Sequence, residues 1–352
     1  MAVLWGKTYT RVDLLRRVGD IRQLAQAQPF ELTDGIERGV RAVRMRNASG
    51  LDLTVVPDRG MAITDLALGG TPLPFLTAAG MVHPAFSEPE DTGWLRTWPG
   101  GFVTPCGLTQ VGSAGEDAGE KLGLHGRVAG IPASAVRWGG EWKDDDYYLY
   151  VEGMVRQTAM FGEDISLHRR IGMWLGGSRF WIEDTVENHA FRPVPHMFLQ
   201  HFNLGFPLVD ATTRLDLPQS DVRPRDEVAR AGFERYNVFE SPAAGFQEQV
   251  FYHNLQAGPD GQVEVRLTNP AFDGGKGLGV YWRYALADYP ILAEWKMMGE
   301  GQYVVGIEPA NCHVEGRRAE RDSGSLQILQ PFEKRHYRIE VGLVHSNQSF
   351  GA

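Results

Sequence analysis

The sequence predicts a mainly antiparallel, all-β protein, built as a large β-sandwich with few short helices. Three observations carry that expectation. Apolar residues alternate with polar ones at period two along most of the chain, the pattern of half-buried strands. Turn formers are abundant, with 42 Gly and 20 Pro among 352 residues, as many short strands require. Helical periodicity is confined to one short stretch near the start.

That stretch is Arg11 to Ala27, where Leu14, Val18, Ile21 and Ala25 recur at helical spacing. It predicts a short helix, or a turn, followed by an edge strand. Leu51, Leu53 and Val55 then alternate with Asp52 and Thr54, and Gly60 ends the run. Met61 to Leu68 reads as the next strand, closed by a turn at Gly69-Gly70. Tyr147 to Arg156 is aromatic and β-branched, hence a strand. Leu167 to Trp174 and Phe180 to Val186 flank Gly176-Gly177 and read as a hairpin. Val263, Val265 and Leu267 alternate with charged or amide neighbours, and Tyr337, Ile339, Val341 and Leu343 do so near the end. Gly, Pro and acidic residues concentrate between Ser87 and Lys121 and between Asp221 and Gly245, which read as loops. No fixed-period repeat points to a propeller or solenoid. With no central linker, one domain spanning 1–352 is expected.

The composition bounds the partners. Hydrophobic residues form 43% of the chain and charged residues 22%, enough for a sizeable core. The net charge is −9 and no long basic run occurs, so neither nucleic acid nor an anionic membrane is expected as a partner. Two cysteines, Cys106 and Cys312, make no disulfide framework and suit a reducing compartment. No secretory leader or membrane-spanning run is read, so a cytoplasmic address is expected by default. Pairing between copies cannot be read from one chain, and a homodimer stays open.

Five polar clusters carry the candidate chemistry. Val56-Pro57-Asp58-Arg59-Gly60-Met61 reads first as a surface turn with a local ion pair, Arg59 being able to project into a cleft instead. In Leu122-Gly123-Leu124-His125-Gly126-Arg127, the glycines let backbone approach a ligand beside His125 and Arg127. In His196 to Asn203, a strand puts His201 and Asn203 on one face and Gln200 and Phe202 on the other. In Glu248 to Asn254, Phe251 and His253 face one way, Tyr252 and Asn254 the other. The last runs from Trp295 and Lys296 to Glu308, which ends an apolar strand just before Pro309. A carboxylate there is costly to bury without a partner. Phosphate loops, paired CxxC, GxSxG and HExxH motifs are absent from the sequence.

The ordered motifs Pro57-Asp58-Arg59-Gly60-Met61, Cys106-Gly107-Leu108-Thr109-Gln110-Val111-Gly112, Leu124-His125-Gly126-Arg127, Glu248-to-Leu255 and Gly306-to-Asn311 resemble those of the aldose 1-epimerase (galactose mutarotase-like) superfamily. The chain looks closest to its divergent DUF4432 branch. The resemblance implies the galactose mutarotase-type supersandwich and an isomerase that interconverts sugar anomers without a cofactor. It implies His201 as general acid and Glu308 as general base. Arg59, His125, Arg127, Asn203, Glu248, His253, Trp295 and Lys296 are the residues expected to hold the sugar. Two positions depart from the family pattern. Tyr252 stands where an Asp-His-Asn motif has its aspartate, so His253 or Glu248 is expected to serve instead. The arginine upstream of the Leu-His-Gly motif has no clear match, with Arg59, Arg96 and Arg127 as candidates. Two other readings use the same residues. One is a metal-dependent sugar isomerase, epimerase or lyase with His125, His201 and His253 as ligands beside Glu248 or Glu308. The other is a carbohydrate-binding or sensing module without turnover.

Overall fold

Period-two alternation along the chain is resolved into two large antiparallel sheets. The structure, a computed structural model, describes residues 1–344, so positions 345–352 of the expected 1–352 span lie outside it. The smaller sheet has eight strands in the order Ser134–Lys143, Asp146–Thr158, Asp164–Trp174, Arg179–Asn188, Lys334–Val344, Leu278–Ala285, Gln262–Asn269 and Arg214–Asp216. The larger runs Ser220–Pro224, Gln249–Leu255, Ile291–Gly299, Gln302–Ala310, Val194–Leu204, Val103–Leu108, Ala62–Leu68, Leu51–Val56, Arg41–Arg46 and Gln26–Glu31, with two short strands off this path. Among the described residues the longest helix, Arg317–Ser323, has seven residues, and no helix is long and apolar enough to cross a membrane.

The faces follow from the alternation. On Val194–Leu204, Phe198 and Phe202 enter the main core, which also takes Phe180 and Trp282 from the smaller sheet. Met197 and Leu199, one position out of step, join a second apolar cluster with Trp94, Trp98, Val250 and Ala310. The larger sheet therefore has a back face against the smaller sheet and a front face turned away from it. Gln200 points backward into a buried network. Arg169 donates to both Asp184 oxygens at 2.8 and 2.7 Å and to Gln200 Oε1 at 2.8 Å, and Gln200 Nε2 donates to Asp184 at 2.8 Å. The ion-paired Arg169 and Asp184, 0% and 1% exposed, are neighbours in the smaller sheet, and their hydrogen bonds to Gln200 tie the two sheets together across the core.

The early stretch is a one-turn helix, Arg11–Leu15, a 3₁₀ turn at Ile21–Gln23 and then the edge strand Gln26–Glu31. Thr10 and Asp13 form a capping box that starts the helix. Three readings are corrected. The Asp221–Gly245 segment, expected as a loop, opens within the edge strand Ser220–Pro224 and holds the short helix Glu227–Ala231. The Ser87–Lys121 segment holds a central strand, Val103–Leu108, masked in sequence by Pro105 and Gly107. The turn Pro57–Arg59 is buried rather than on the surface. Asp58 there accepts from Arg41, at 2.7 Å from its backbone N–H and 2.9 Å from its Nε, not from Arg59.

Candidate functional site

Strand register builds the centre of the front face. Leu199 pairs with Ala310 and Phe202 with Ile307, one unchanged register that sets His201 directly opposite Glu308. The pairing lapses between those two points, where Pro309 has no N–H to donate. Residues opposed in this way have Cβ atoms about 4.5–5.5 Å apart, and here His201 Nε2 lies 3.3 Å from Glu308 Oε1. Gly306, two residues before Glu308, makes room for the carboxylate. A Cβ at Gly306 would meet Glu308 Oε1 at 2.6 Å and Trp295 Cβ at 2.9 Å.

Loops close the site from above. His125 holds φ 58°, in a region that His adopts more readily than most residues. Its N–H donates to Gly112 O at 2.9 Å and its carbonyl accepts from Gly107 at 3.0 Å. Gly126 must follow, because a Cβ there would meet Gln110 O at 2.5 Å. The Gly112 N–H approaches His125 Nδ1 at 3.4 Å, an acceptor role that leaves Nε2–H as the ring's donor. The helical turn Trp94–Thr97 and Trp98 add an aromatic wall. Trp94 stacks on Trp98 at 4.6 Å, and His201 lies 5.3 Å from Trp98, 5.6 Å from Trp295 and 5.2 Å from His125, centroid to centroid. Trp98 Nε1 donates to Thr104 at 3.1 Å, which fixes it to the sheet.

These groups line a cavity of about 190 Å³ with Glu248, Arg225, Ser113 and Val314. That is below the roughly 300–1,000 Å³ of pockets that take drug-sized ligands, so it suits a small molecule. A larger groove of about 860 Å³ crosses the strands from Gln26 to Leu68, but no histidine lines it, and its Arg44 and Asp52 pair with each other. We therefore place the site at the smaller cavity, where the proton-active groups meet.

Burial sets the charge states. Desolvation lifts the Glu308 carboxyl to about 8, with Glu248 pushing the same way and Arg225 opposing. Desolvation pulls His201 well below its ordinary value, with His125 adding to the effect and the Asn203 side chain opposing it. His125 falls to about 4 by burial. The site thus pairs a carboxylic acid with a neutral imidazole at neutral pH. Among the described residues, Glu308 Oε1 and His201 Nδ1 have no hydrogen-bond partner. Buried polar atoms without partners are uncommon, and both residues line the cavity.

Of the residues singled out from sequence, the cavity gathers His125, His201, Glu248, Trp295 and Glu308. Asn203 is buried beside His201 and donates to Gly101 O at 3.0 Å and His201 O at 2.8 Å. Arg59 and Arg127 line a separate cavity of about 110 Å³ behind Trp94. Arg59 is spent on neutral acceptors, Val82 O at 3.1 Å, Ser87 Oγ at 3.2 Å and Thr97 O at 2.8 Å. Arg127 is exposed, 3.8 Å from Glu163. Arg96 is exposed and pairs with Glu88 at 2.9 Å.

His253 and Lys296 lie on the back face. His253 Nε2 meets Glu294 at 2.9 Å and Lys296 Nζ meets Glu240 at 2.8 Å, so neither faces the cavity. With His253 turned away, the three histidines do not converge, and among the described residues no group of three His, Cys, Asp or Glu side chains is arranged to hold a metal. Cys106 and Cys312 are buried and free. Among the cavity groups that escaped the sequence reading are Trp94, Trp98 and Arg225. The Trp-Leu-Arg-Thr-Trp spacing, which puts both indoles on one side of a helical turn, was the available signal for the first two. Arg225 follows the edge strand Ser220–Pro224, so nothing local marked it. It supplies a cavity arginine from downstream of the Leu-His-Gly motif rather than upstream.

The fold matches solved structures at low sequence identity. A Klebsiella pneumoniae protein provisionally designated an aldose 1-epimerase superposes with TM-score 0.85 at 23% identity, over 91% of this chain and 83% of that one. A galactose mutarotase-like protein from Clostridium acetobutylicum gives 0.63 at 11%, over 92% and 99%. The galactose 1-epimerase of Lactobacillus acidophilus gives 0.56 at 12%, over 91% and 99%. No curated protein matches the sequence. The DUF4432 model, a domain of unknown function, matches residues 37–343. The chain therefore belongs to the DUF4432 family and has a galactose mutarotase-like fold.

Proposed function

We propose that the cavity takes a small cyclic sugar and interconverts its anomers by acid–base ring opening, with Glu308 as base and His201 as acid. The observation that carries this is the cross-strand pair itself, His201 Nε2 and Glu308 Oε1 3.3 Å apart on a buried floor. The ring oxygen and the anomeric oxygen of a sugar share one carbon. An acid and a base that serve both must therefore stand close together, as these do.

Glu308 takes the proton of the anomeric hydroxyl while His201 protonates the ring oxygen. The C1–O5 bond breaks, the aldehyde forms, rotation about C1–C2 exposes the other face, and the reverse transfers close the ring. One proton passes between the members of the pair in each half-reaction. Opening starts from carboxylate and imidazolium and leaves the neutral pair, the state that burial favours and the one that recloses the aldehyde. Arg225 favours the carboxylate form of Glu308, and so does a hydroxyl that donates to it. Acid–base pairs of this kind contribute roughly 10²–10⁴-fold.

The remaining groups suit a sugar. Trp94, Trp98 and Trp295 offer apolar faces to ring C–H groups, while His125 Nε2–H, Arg225 and Glu248 offer donors and acceptors for hydroxyls. The test is anomer exchange by NMR across a panel of aldoses. Glu308→Gln and His201→Asn should each slow exchange by roughly 10²-fold or more. Unchanged exchange in both variants rules the assignment out.

A further inference from the structure

Arg225 and Glu248 are the two ends of one excursion of the chain. It leaves the edge strand Ser220–Pro224, and returns at the strand Gln249–Leu255, its neighbour in the sheet. Both ends reach the front-face cavity, where Arg225 Nη2 donates to Glu248 Oε1 at 3.3 Å and Trp295 Nε1 donates to Glu248 Oε2 at 2.9 Å. The middle of the excursion goes to the back face. There Phe239 is buried in the core, Tyr303 Oη donates to Glu240 O at 2.7 Å, and Ala243 N donates to Met298 O at 2.9 Å.

A further back-face anchor is Lys296. Its side chain is 1% exposed, and its ammonium lies 2.8 Å from Glu240 Oε2 and donates to Arg235 O at 2.9 Å. Arg235 in turn reaches Glu240 Oε1 at 3.0 Å. A buried lysine is retained only where it is paired and hydrogen-bonded, and this one grips the excursion at two points. Its neighbour Trp295, on the other face of the same strand, grips the returning end. Adjacent residues, pointing opposite ways, thus hold one loop from both sides of the sheet.

We propose that Lys296 is a positioning residue, which sets the cavity ends Arg225 and Glu248 from the reverse side of the sheet by latching the 225–248 segment through Glu240. The inference rests on the sugar reading only for its kinetic consequence. Its structural consequence is independent of any ligand, because the Trp295 indole N–H reports directly on Glu248.

The experiment is a comparison of Lys296→Met, Lys296→Arg and Glu240→Gln by NMR of the indole N–H signals, with Trp181 as internal reference. In Lys296→Met the Trp295 indole N–H should shift, and its solvent exchange should accelerate tenfold or more. The Trp181 indole, which donates to Glu340 at 2.9 Å on the smaller sheet, should stay in place. Glu240→Gln should move the Trp295 signal the same way by less, and Lys296→Arg should largely restore it. If the wild type exchanges anomers, Lys296→Met should raise KM at least fivefold. An unmoved Trp295 indole in both Lys296→Met and Glu240→Gln overturns the latch, as does equal movement of both indoles. Should Lys296→Met not fold, Glu240→Gln decides alone. A moved indole in a protein that exchanges no anomers leaves the latch standing and removes the sugar reading.

Discussion

Glu308→Gln should make the protein more stable at alkaline pH while removing its chemistry. The Glu308 carboxyl is held at about 8 in the fold against an ordinary 4.5. Between those values the unfolded chain has released this proton and the folded one keeps it. The folded state then binds more protons, so stability falls as pH rises, by about 1.4 kcal/mol per pH unit. The contribution is fully present below pH 4.5 and lost by the time pH passes about 8, a total of about 5 kcal/mol as an upper figure. Glutamine imitates the protonated acid at every pH and carries no such dependence. Urea unfolding of both proteins from pH 5 to 9 is the assay, read as the difference between them so that all other titrations cancel. The variant should gain on the wild type steadily up to pH 8 and level off above it. A difference that stays within about 1 kcal/mol across the range would mean that Glu308 ionises freely, and the acid–imidazole account of the site would fail with it.

Two further outcomes follow from the packing. Arg169→Met strands the 1%-exposed Asp184 carboxylate in the core and should cost about 3–5 kcal/mol in the same urea assay, whereas Arg169→Met with Asp184→Leu should recover most of that loss. Gly306→Ala places a Cβ 2.6 Å from Glu308 Oε1. It should cost about 1–3 kcal/mol and slow anomer exchange by roughly 10²-fold through displacement of the carboxylate.

Alternation made much of the fold legible. Leu51, Leu53 and Val55 and the Tyr337-to-Leu343 run announce their strands because one face is buried and the other is not. Val103–Leu108 was hidden because proline and glycine inside a strand imitate a loop. It survives in the centre of the sheet because its neighbours supply the register. The site was legible where a polar residue interrupted an apolar strand, as at His201 and Glu308. Alternation separated the faces of Phe251-Tyr252-His253 correctly, but it does not say which face is the cavity. Phe251 sits in the core, which carries His253 with it to the back. Lys296 followed the same rule opposite Trp295. Arg225 had no local mark, and the i, i+4 spacing of Trp94 and Trp98 does not say where their turn docks, which long-range clamps such as Arg59 on the Thr97 carbonyl decide.

If the proposed proton transfers hold, the placement of His201 and Glu308 on paired strands makes activity a report on assembly. They are far apart in sequence, and only the alignment of Leu199 with Ala310 and Phe202 with Ile307 brings them together. A slip of one residue in either strand would send one of them to the opposite side of the sheet and abolish the couple outright. A misassembled molecule is therefore silent rather than weakened. In a partly refolded sample the fraction of recovered turnover should equal the fraction of correctly zipped molecules, with no contribution from near-native species.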